Sequence, residues 1–230
     1  MIIERENHFN IKKIERQFKA ANLEKELHGI KQVSQEYLLR HSALNEIGTK
    51  LENLDDEYSV SFDHNPIHHM EERMKEPTSL IEKVARKGME LTLENVFENI
   101  YDIAGIRVIT NYIDDIYQVR DALAKQSDIT VIKEKDYIKN PKPNGYRSYH
   151  LIVSVPVFQD EGPKNVAVEI QFRTIGMDMW ASLEHDLRYK SFADDNKADQ
   201  YASRLKKYSD QLYEIEANMQ QIFNGLQESE

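Results

Sequence analysis

Four polar side chains fall in the pattern R-x-K-x-x-x-S-x-x-x-K: Arg73, Lys75, Ser79 and Lys83. Pro77 suits the first turn of a helix and Gly88 its end, and on that helix Ser79 and Lys83, four apart, share one face. Arg73 and Lys75 alternate to one side of the extended lead-in. With the partial positive charge of the helix N-terminus, these groups make a cradle for a triphosphate. Arg73 adds a flat guanidinium that stacks well on a nucleobase. A solvated basic helix is the ordinary alternative.

Two further stretches carry carboxylates. In DIAGIR, Ala-Gly lets backbones approach closely between Asp102 and Arg107. In VAVEIQFRT, Val166, Val168, Ile170 and Phe172 face one side of a strand, and Ala167, Glu169, Gln171 and Arg173 face the other. If the two stretches are neighbours in a sheet, Asp102 and Glu169 converge on one hard cation. Two carboxylates with water and phosphate oxygens are the usual protein share of a Mg²⁺ site. A helix cap at Asp102, a surface ion pair at Arg107 and a solvated sheet face are the plainer meanings of the same residues.

The stretch NPKPNGYRSYH, Asn140 to His150, combines stiffness with ligand-binding side chains. Its prolines fix φ, and Asn144-Gly145 supplies positive φ at low steric cost. Lys142 and Arg147 bring charge, Tyr146 a flat ring for a purine, and His150 a donor to a phosphate or ribose oxygen. A hairpin loop with Tyr146 merely packed is the alternative.

These residues need an α/β (α+β) frame, a central mixed sheet of about five strands with helices at both ends. Strands are expected at YSVSF (58–62), IRVIT (106–110), ITVIKEKDY (129–137), YHLIVSVPVF (149–158) and VAVEIQF (166–172). A first helix follows the Asn10 cap through IKKIERQFKAA, with Phe9 stapled onto Ile14, and Gly29 punctuates the pattern. A second helix follows Ile30, Val33, Tyr37, Leu44, Ile47, Leu51 and Leu54. Helices also fit TSLIEKVARK, a short stretch near 93–100, IDDIYQVRDALA and MDMWASLEHDLRYK. The last helix carries a seam of alternating three- and four-residue spacing, from Ala198, Tyr201 and Leu205 through Tyr208, Leu212 and Ile215 to Met219, Ile222 and Leu226. That alternation suits a bundle or coiled coil. A single domain of 1–230 is expected, with N-terminal helices over 1–56, a catalytic core over 57–192 and a C-terminal helix for assembly over 193–230.

Composition limits the partners. The net charge of −10 argues against a surface built to coat nucleic acid. Two basic islands stand out on this acidic chain: Arg73–Lys87 carries +3 and Asp136–His150 carries +2. They suit a pocket for a small polyanion, although solvated faces are the commoner meaning of a charge cluster. No apolar run reaches the roughly 20 residues of a membrane helix. The opening MIIERENHFN lacks a secretory h-region, and there are no cysteines, so a reducing, cytoplasmic setting is expected.

The stretches R-x-K-x-x-x-S-x-x-x-K, DIAGIR, DYIKNPKPNGYRSYH, EIQFRT and W-A-S-L-E-H-x-L-x-Y-K occur in that order between Arg73 and Lys190. Together they resemble the RelA/SpoT synthetase family, and the short chain with helices at both ends resembles its small alarmone synthetases of the RelP or RelQ type. The resemblance implies a nucleotidyltransferase-like fold and a GTP pyrophosphokinase of the stringent response. Such an enzyme moves the pyrophosphoryl group of ATP to the ribose 3′-hydroxyl of GDP or GTP, giving ppGpp or pppGpp and AMP. It also implies a homotetramer. Carried over by motif, Arg73 and Arg107 sandwich the adenine, and Lys75, Ser79 and Lys83 hold the ATP phosphates. Asp102 and Glu169 are the catalytic pair that binds Mg²⁺, with Glu169 taking the 3′-hydroxyl proton. Tyr146 stacks on guanine, and Lys142, Asn144, Arg147, His150 and Gln171 complete the GDP/GTP site. The sequence departs at Asp178, where some relatives carry an Asn that helps hold the guanosine nucleotide.

Other readings stay open at this point. A toxin-like synthetase would modify adenosine nucleotides or tRNA ends, and a sensor on the same fold would bind nucleotide or RNA without catalysis. The doublet His185-Asp186 invites a hydrolase reading but lies inside the W-A-S-L-E-H stretch. Regulation by (p)ppGpp, RNA or a metal ion is undecided, with His64, His68, His69 and His185 the imidazoles a metal would use.

Overall fold

A computed structural model of the chain describes residues 2–4, 16, 27–90, 92–190 and 195–228. Six strands form one mixed sheet in the order β1-β2-β3-β6-β5-β4. They are β1 (Ile2–Glu4), β2 (Ile67–Met74), β3 (Ala104–Thr110), β4 (Thr130–Asp136), β5 (Tyr149–Gln159) and β6 (Gly162–Thr174). β1 runs parallel to β2 and β3 parallel to β6, while the remaining neighbours are antiparallel. The helices among the described residues are α1 (Leu27–Ser61), α2 (Pro77–Arg86), α3 (Leu93–Asn99), α4 (Ile113–Ala124), α5 (Ile175–Lys190) and α6 (Asp195–Gln227). This is the α+β architecture that the motifs require.

Period-two patterning decides which sheet face is buried. Tyr149, Leu151, Val153, Val155 and Val157 of β5 and Val166, Val168, Ile170 and Phe172 of β6 are all buried on one face. They pack against Leu44, Ile47, Leu51 and Tyr58 of α1 and Ile116, Val119 and Leu123 of α4. A smaller core joins Val33 and Tyr37 of α1 to Leu80 and Val84 of α2 and Val96 and Ile100 at α3. That second core seats α2, the helix carrying Ser79 and Lys83, at one side of the sheet. Pro77 at its first turn and Gly88 at φ +64° just beyond its last residue bound it as expected.

Four local readings differ from the sequence expectation. Ile2–Glu4, within the stretch expected as N-terminal helices, is the edge strand β1 and brings the sheet to six strands. YSVSF is not a strand: Tyr58–Ser61 form the last turn of α1, and Phe62 follows it. The buried series Ile47, Leu51, Tyr58 continues the helical period, while Val60 is 86% exposed and Phe62 55%, so their alternation buries nothing. Gly29 lies within α1 and does not interrupt it. Conversely, IHHMEERM forms β2, where no strand was expected. Its polar residues hide a strand signal, and a register shift between Ile67 and His69 breaks the alternation. The helix expected from Asn10 lies outside the described residues, except for Arg16.

Candidate active site

The sheet face opposite the main core carries polar side chains in two rows. Register places Arg73 of β2 beside Gly105 of β3, Glu169 of β6 and Ile152 of β5. The next row is Glu71, Arg107, Gln171, His150 and Lys135. A cavity of about 210 Å³ opens over these rows, lined by Arg73, Gly105, Arg107, Glu169 and Gln171 among others. Gly105 keeps its floor low: a methyl there would meet the Glu169 carbonyl at 3.6 Å and the Arg73 side chain at 3.9 Å.

The basic cradle and one carboxylate meet at the edge of this face. Lys75 Nζ lies 2.9 Å and Lys83 Nζ 2.6 Å from Asp102 Oδ2. Burial opposes the charge on Asp102, but the two ammonium groups outweigh it and hold the carboxyl below its ordinary range. Asp102 Oδ1 is buried with no hydrogen-bond partner. An orphaned carboxylate oxygen of this kind is a natural ligand for a hard cation. Ser79 is half-buried on the same helix as Lys83, and Arg73 is exposed above Gly105.

Five side chains, Glu169 among them, close a hydrogen-bonded ring. Arg173 Nη2 donates to Tyr146 Oη at 2.9 Å and to Gln171 Oε1 at 3.2 Å. Gln171 Nε2 donates to Glu169 Oε2 at 2.8 Å. His150 Nε2 lies 2.9 Å from Tyr146 Oη, and its Nδ1 3.2 Å from Glu169 Oε1. With a neutral ring, Tyr146 donates to Nε2 and Nδ1–H donates to the carboxylate. Burial works against charge on Glu169, and the Asp102 carboxylate does too. The His150 and Gln171 hydrogen bonds prevail and depress its pKa. Glu169 therefore stays an ionised acceptor at neutral pH.

Asp178 of α5 joins the two halves of the face. Its Oδ1 lies 2.8 Å from Arg173 Nη1 and 3.3 Å from Arg107 Nη1. Arg107 also reaches Glu71 Oε2 at 2.8 Å. The carboxylate at 178, where some relatives are expected to carry an amide, thus has two guanidinium partners.

The stiff loop is built as its residue types demand. Gly145 N donates to Lys142 O at 2.8 Å, closing a turn with Pro143 at its second position and Gly145 at φ +94°. Asn144 Oδ1 accepts from Tyr146 N, and its amide reaches Glu184 of α5 at 3.2 Å. Lys142 Nζ sits 4.4 Å from the Tyr146 ring centre and 4.7 Å from that of Tyr137. Arg147 is directed away from this face. It donates to the Ile138 carbonyl and to Asp210, and stacks on Tyr213 of α6 at 4.3 Å.

The structure thus gathers Arg73, Lys75, Ser79, Lys83, Asp102, Arg107, Lys142, Tyr146, His150, Glu169 and Gln171 around one face, with Asn144 shaping the loop and Arg147 behind it. Sequence reasoning passed over Tyr137, Glu71 and Asp178's bridging role, and saw Arg173 only as one of a row. Tyr137 joins the site through its ring contacts with Tyr146, His150 and Lys142, and Glu71 through its register with Arg107, neither of which local sequence reveals. The other imidazoles lie elsewhere. His64 pairs with Asp115 at the start of α4, 3.0 Å apart, and His68 and His69 lie on β2. His185 and Asp186 are 82% and 71% exposed, and no cluster of three or more metal-binding side chains occurs among the described residues.

Residues 72–194 match the region found in RelA / SpoT proteins. GTP pyrophosphokinase YwaC of Bacillus subtilis is 42% identical over 184 residues, covering 80% of this chain and 87% of that protein. Small alarmone synthetase 1 from Bacillus subtilis, bound to its product pppGpp, superposes with a TM-score of 0.75 at 36% identity over 86% of this chain and 99% of that one. The same synthetase bound to AMPCPP gives a TM-score of 0.71 at 34% identity, over 86% of this chain and 99% of that one.

Proposed function

The chain belongs to the RelA/SpoT family, and from that membership we propose that it is a GTP pyrophosphokinase making the alarmones ppGpp and pppGpp. The observation that carries the proposal is a cation-held Asp102 just before β3 and an ionised Glu169 beside Gly105 on β6, near enough for their charges to interact, between a basic cradle and an aromatic loop.

Arg73 and Arg107 take the adenine of ATP between them, and Lys75, Ser79 and Lys83 turn to its phosphates. Tyr146, Lys142, His150 and Gln171 receive GDP or GTP, with Asn144 holding the turn. The ribose 3′-oxygen attacks the β-phosphorus of ATP while its proton passes to Glu169. The bond from that phosphorus to the bridging oxygen of the α-phosphate breaks, and AMP leaves with the electron pair. The products are AMP and a guanosine nucleotide carrying a 3′-diphosphate. Asp102 Oδ1 and Glu169 fit a Mg²⁺ ion as its protein oxygens. When bound, the ion neutralises phosphate charge and polarises the transferred group. Everything else asked of the protein is positioning and exclusion of water, which suits a preformed ring of hydrogen bonds.

The proposal extends to assembly and setting. Ile175, Met179, Leu183 and Leu187 of α5 and Ile215, Met219, Ile222 and Leu226 of α6 are each about half exposed or more. A run of apolar side chains on that scale suits burial between copies of the chain, here a homotetramer. No described helix is long and apolar enough to cross a membrane, and a cytoplasmic enzyme of the stringent response fits that surface.

The test is chromatography of labelled ATP with GDP, GTP, adenosine nucleotides or tRNA as acceptor, in magnesium. Label should move to GDP and GTP and not to the others. Glu169→Gln should lower kcat by about 10²–10⁴-fold, the share of a general base, while circular dichroism shows an intact fold. Transfer confined to adenosine nucleotides or tRNA, or near-normal turnover in Glu169→Gln, would refute the assignment.

A further inference from the structure

The C-terminal helix reaches the acceptor loop through one stripe of residues. On α6, Lys206, Ser209, Asp210 and Tyr213 recur at helical spacing, and all four meet residues 145–147. Ser209 is 5% exposed, and its Oγ donates to the Gly145 carbonyl at 2.5 Å. The backbones nearly touch there: a methyl on Gly145 would fall 3.0 Å from Lys206 Cα and 3.0 Å from Ser209 Cβ. Asp210 Oδ1 accepts from Arg147 Nη2 at 3.0 Å, and the Arg147 guanidinium lies on the Tyr213 ring.

The same stripe fixes α6 to the rest of the body. Leu205 O accepts from Trp180 Nε1 at 2.8 Å, Glu216 Oε1 from Gly176 N at 2.8 Å, and Gln220 Oε1 from Asp114 N at 3.0 Å. These partners lie at α5 and at the first turn of α4, so the helix is a fixed rail against which the loop is set.

What the rail fixes is the peptide between Gly145 and Tyr146. Residues 139–148 lie outside the strands, and the turn hydrogen bonds within them leave the Gly145 carbonyl to Ser209. Holding that carbonyl orients the Gly145–Tyr146 peptide plane, and with it the direction in which the Tyr146 side chain departs. The far end of Tyr146 is then received by His150 and Arg173. We propose that Ser209 is a positioning residue for the acceptor nucleotide, acting through Gly145 to aim the ring of Tyr146. This rests on the reading above that Tyr146 stacks on guanine. The ion pairs of Lys75 and Lys83 run to Asp102 and not to the stripe, so the effect is expected on the acceptor side.

Ser209→Ala removes the hydroxyl without adding bulk. In the full-length protein it should raise KM for GTP about three- to tenfold, the worth of one ordinary hydrogen bond, and leave KM for ATP within about twofold. Hydrogen exchange should quicken in a peptide spanning 139–148 while β5 and β6 stay protected. Asp210→Asn, at a 46% exposed side chain, should raise KM for GTP in the same direction by less. It decides the matter should Ser209→Ala fail to fold. An unchanged KM for GTP in both folded variants, or equal rises for GTP and ATP, would overturn the positioning role. Wild-type enzyme that transfers nothing to GTP would instead sink the synthetase assignment, so the two failures are distinguishable.

Discussion

His150 stands between the loop over 140–148 and Glu169, the carboxylate proposed to take the proton, and its Nδ1 contact is a main reason that Glu169 ionises readily. A carboxyl with a depressed folded pKa contributes stability above the ordinary carboxylate range, and loses it as pH falls through the depressed value. The same shift sets activity: turnover should persist below the ordinary glutamate pKa before Glu169 protonates. His150→Leu removes the donor and leaves burial unopposed on that side, so the acidic limb of the kcat profile should move to higher pH; an unmoved limb would show that the contact does not tune the base. Asp178 makes a second residue-scale prediction. It bridges Arg107 on the donor side and Arg173 on the acceptor side, so Asp178→Asn should raise KM for both ATP and GTP about tenfold, as charged hydrogen bonds weaken. A rise for one nucleotide alone would argue that Asp178 serves a single subsite.

Among the elements, those with strong period-two or helical patterning were legible before the structure. β5 and β6, with their alternating valines and isoleucines, and α4, a full amphipathic turn sequence over Ile113–Ala124, lie where expected. β2 was hidden because its less buried positions are histidine, glutamate and arginine, of which Glu71 and Arg73 line the cavity. The end of α1 was misread because Tyr58, Val60 and Phe62 alternate by chance while only Tyr58 is buried. Mutation separates the two readings. Tyr58→Ala should cost about 3 kcal/mol, as large-to-small core changes do, and Val60→Ala less than about 0.5 kcal/mol in urea unfolding. Comparable costs at both positions would favour the strand. The site's carboxylates and cradle were legible from spacing because they sit on regular elements. Arg147 was not, since what turns it from the pocket is Asp210 and Tyr213 on a helix some 60 residues later.

For the whole molecule, a chain of net charge −10 keeps two basic islands, Arg73–Lys87 and Asp136–His150, at the face where two nucleotides are proposed to meet. Its last helix is docked by a largely polar stripe and turns Tyr208, Ile215, Met219 and Ile222 outward. Glutamate at both Ile215 and Ile222 should therefore break the assembly, read as a smaller species in size-exclusion chromatography; an unchanged elution volume would mean that these residues serve something other than association. The proposed reaction moves a pyrophosphoryl group, and not a single phosphate, from ATP to a guanosine nucleotide. Its sharpest test is anion-exchange analysis of enzyme with ATP and GTP in magnesium, quantifying every nucleotide. Pyrophosphoryl transfer should yield AMP and pppGpp in equal amounts with no ADP. Production of ADP, or loss of ATP with GTP unconsumed, would contradict it.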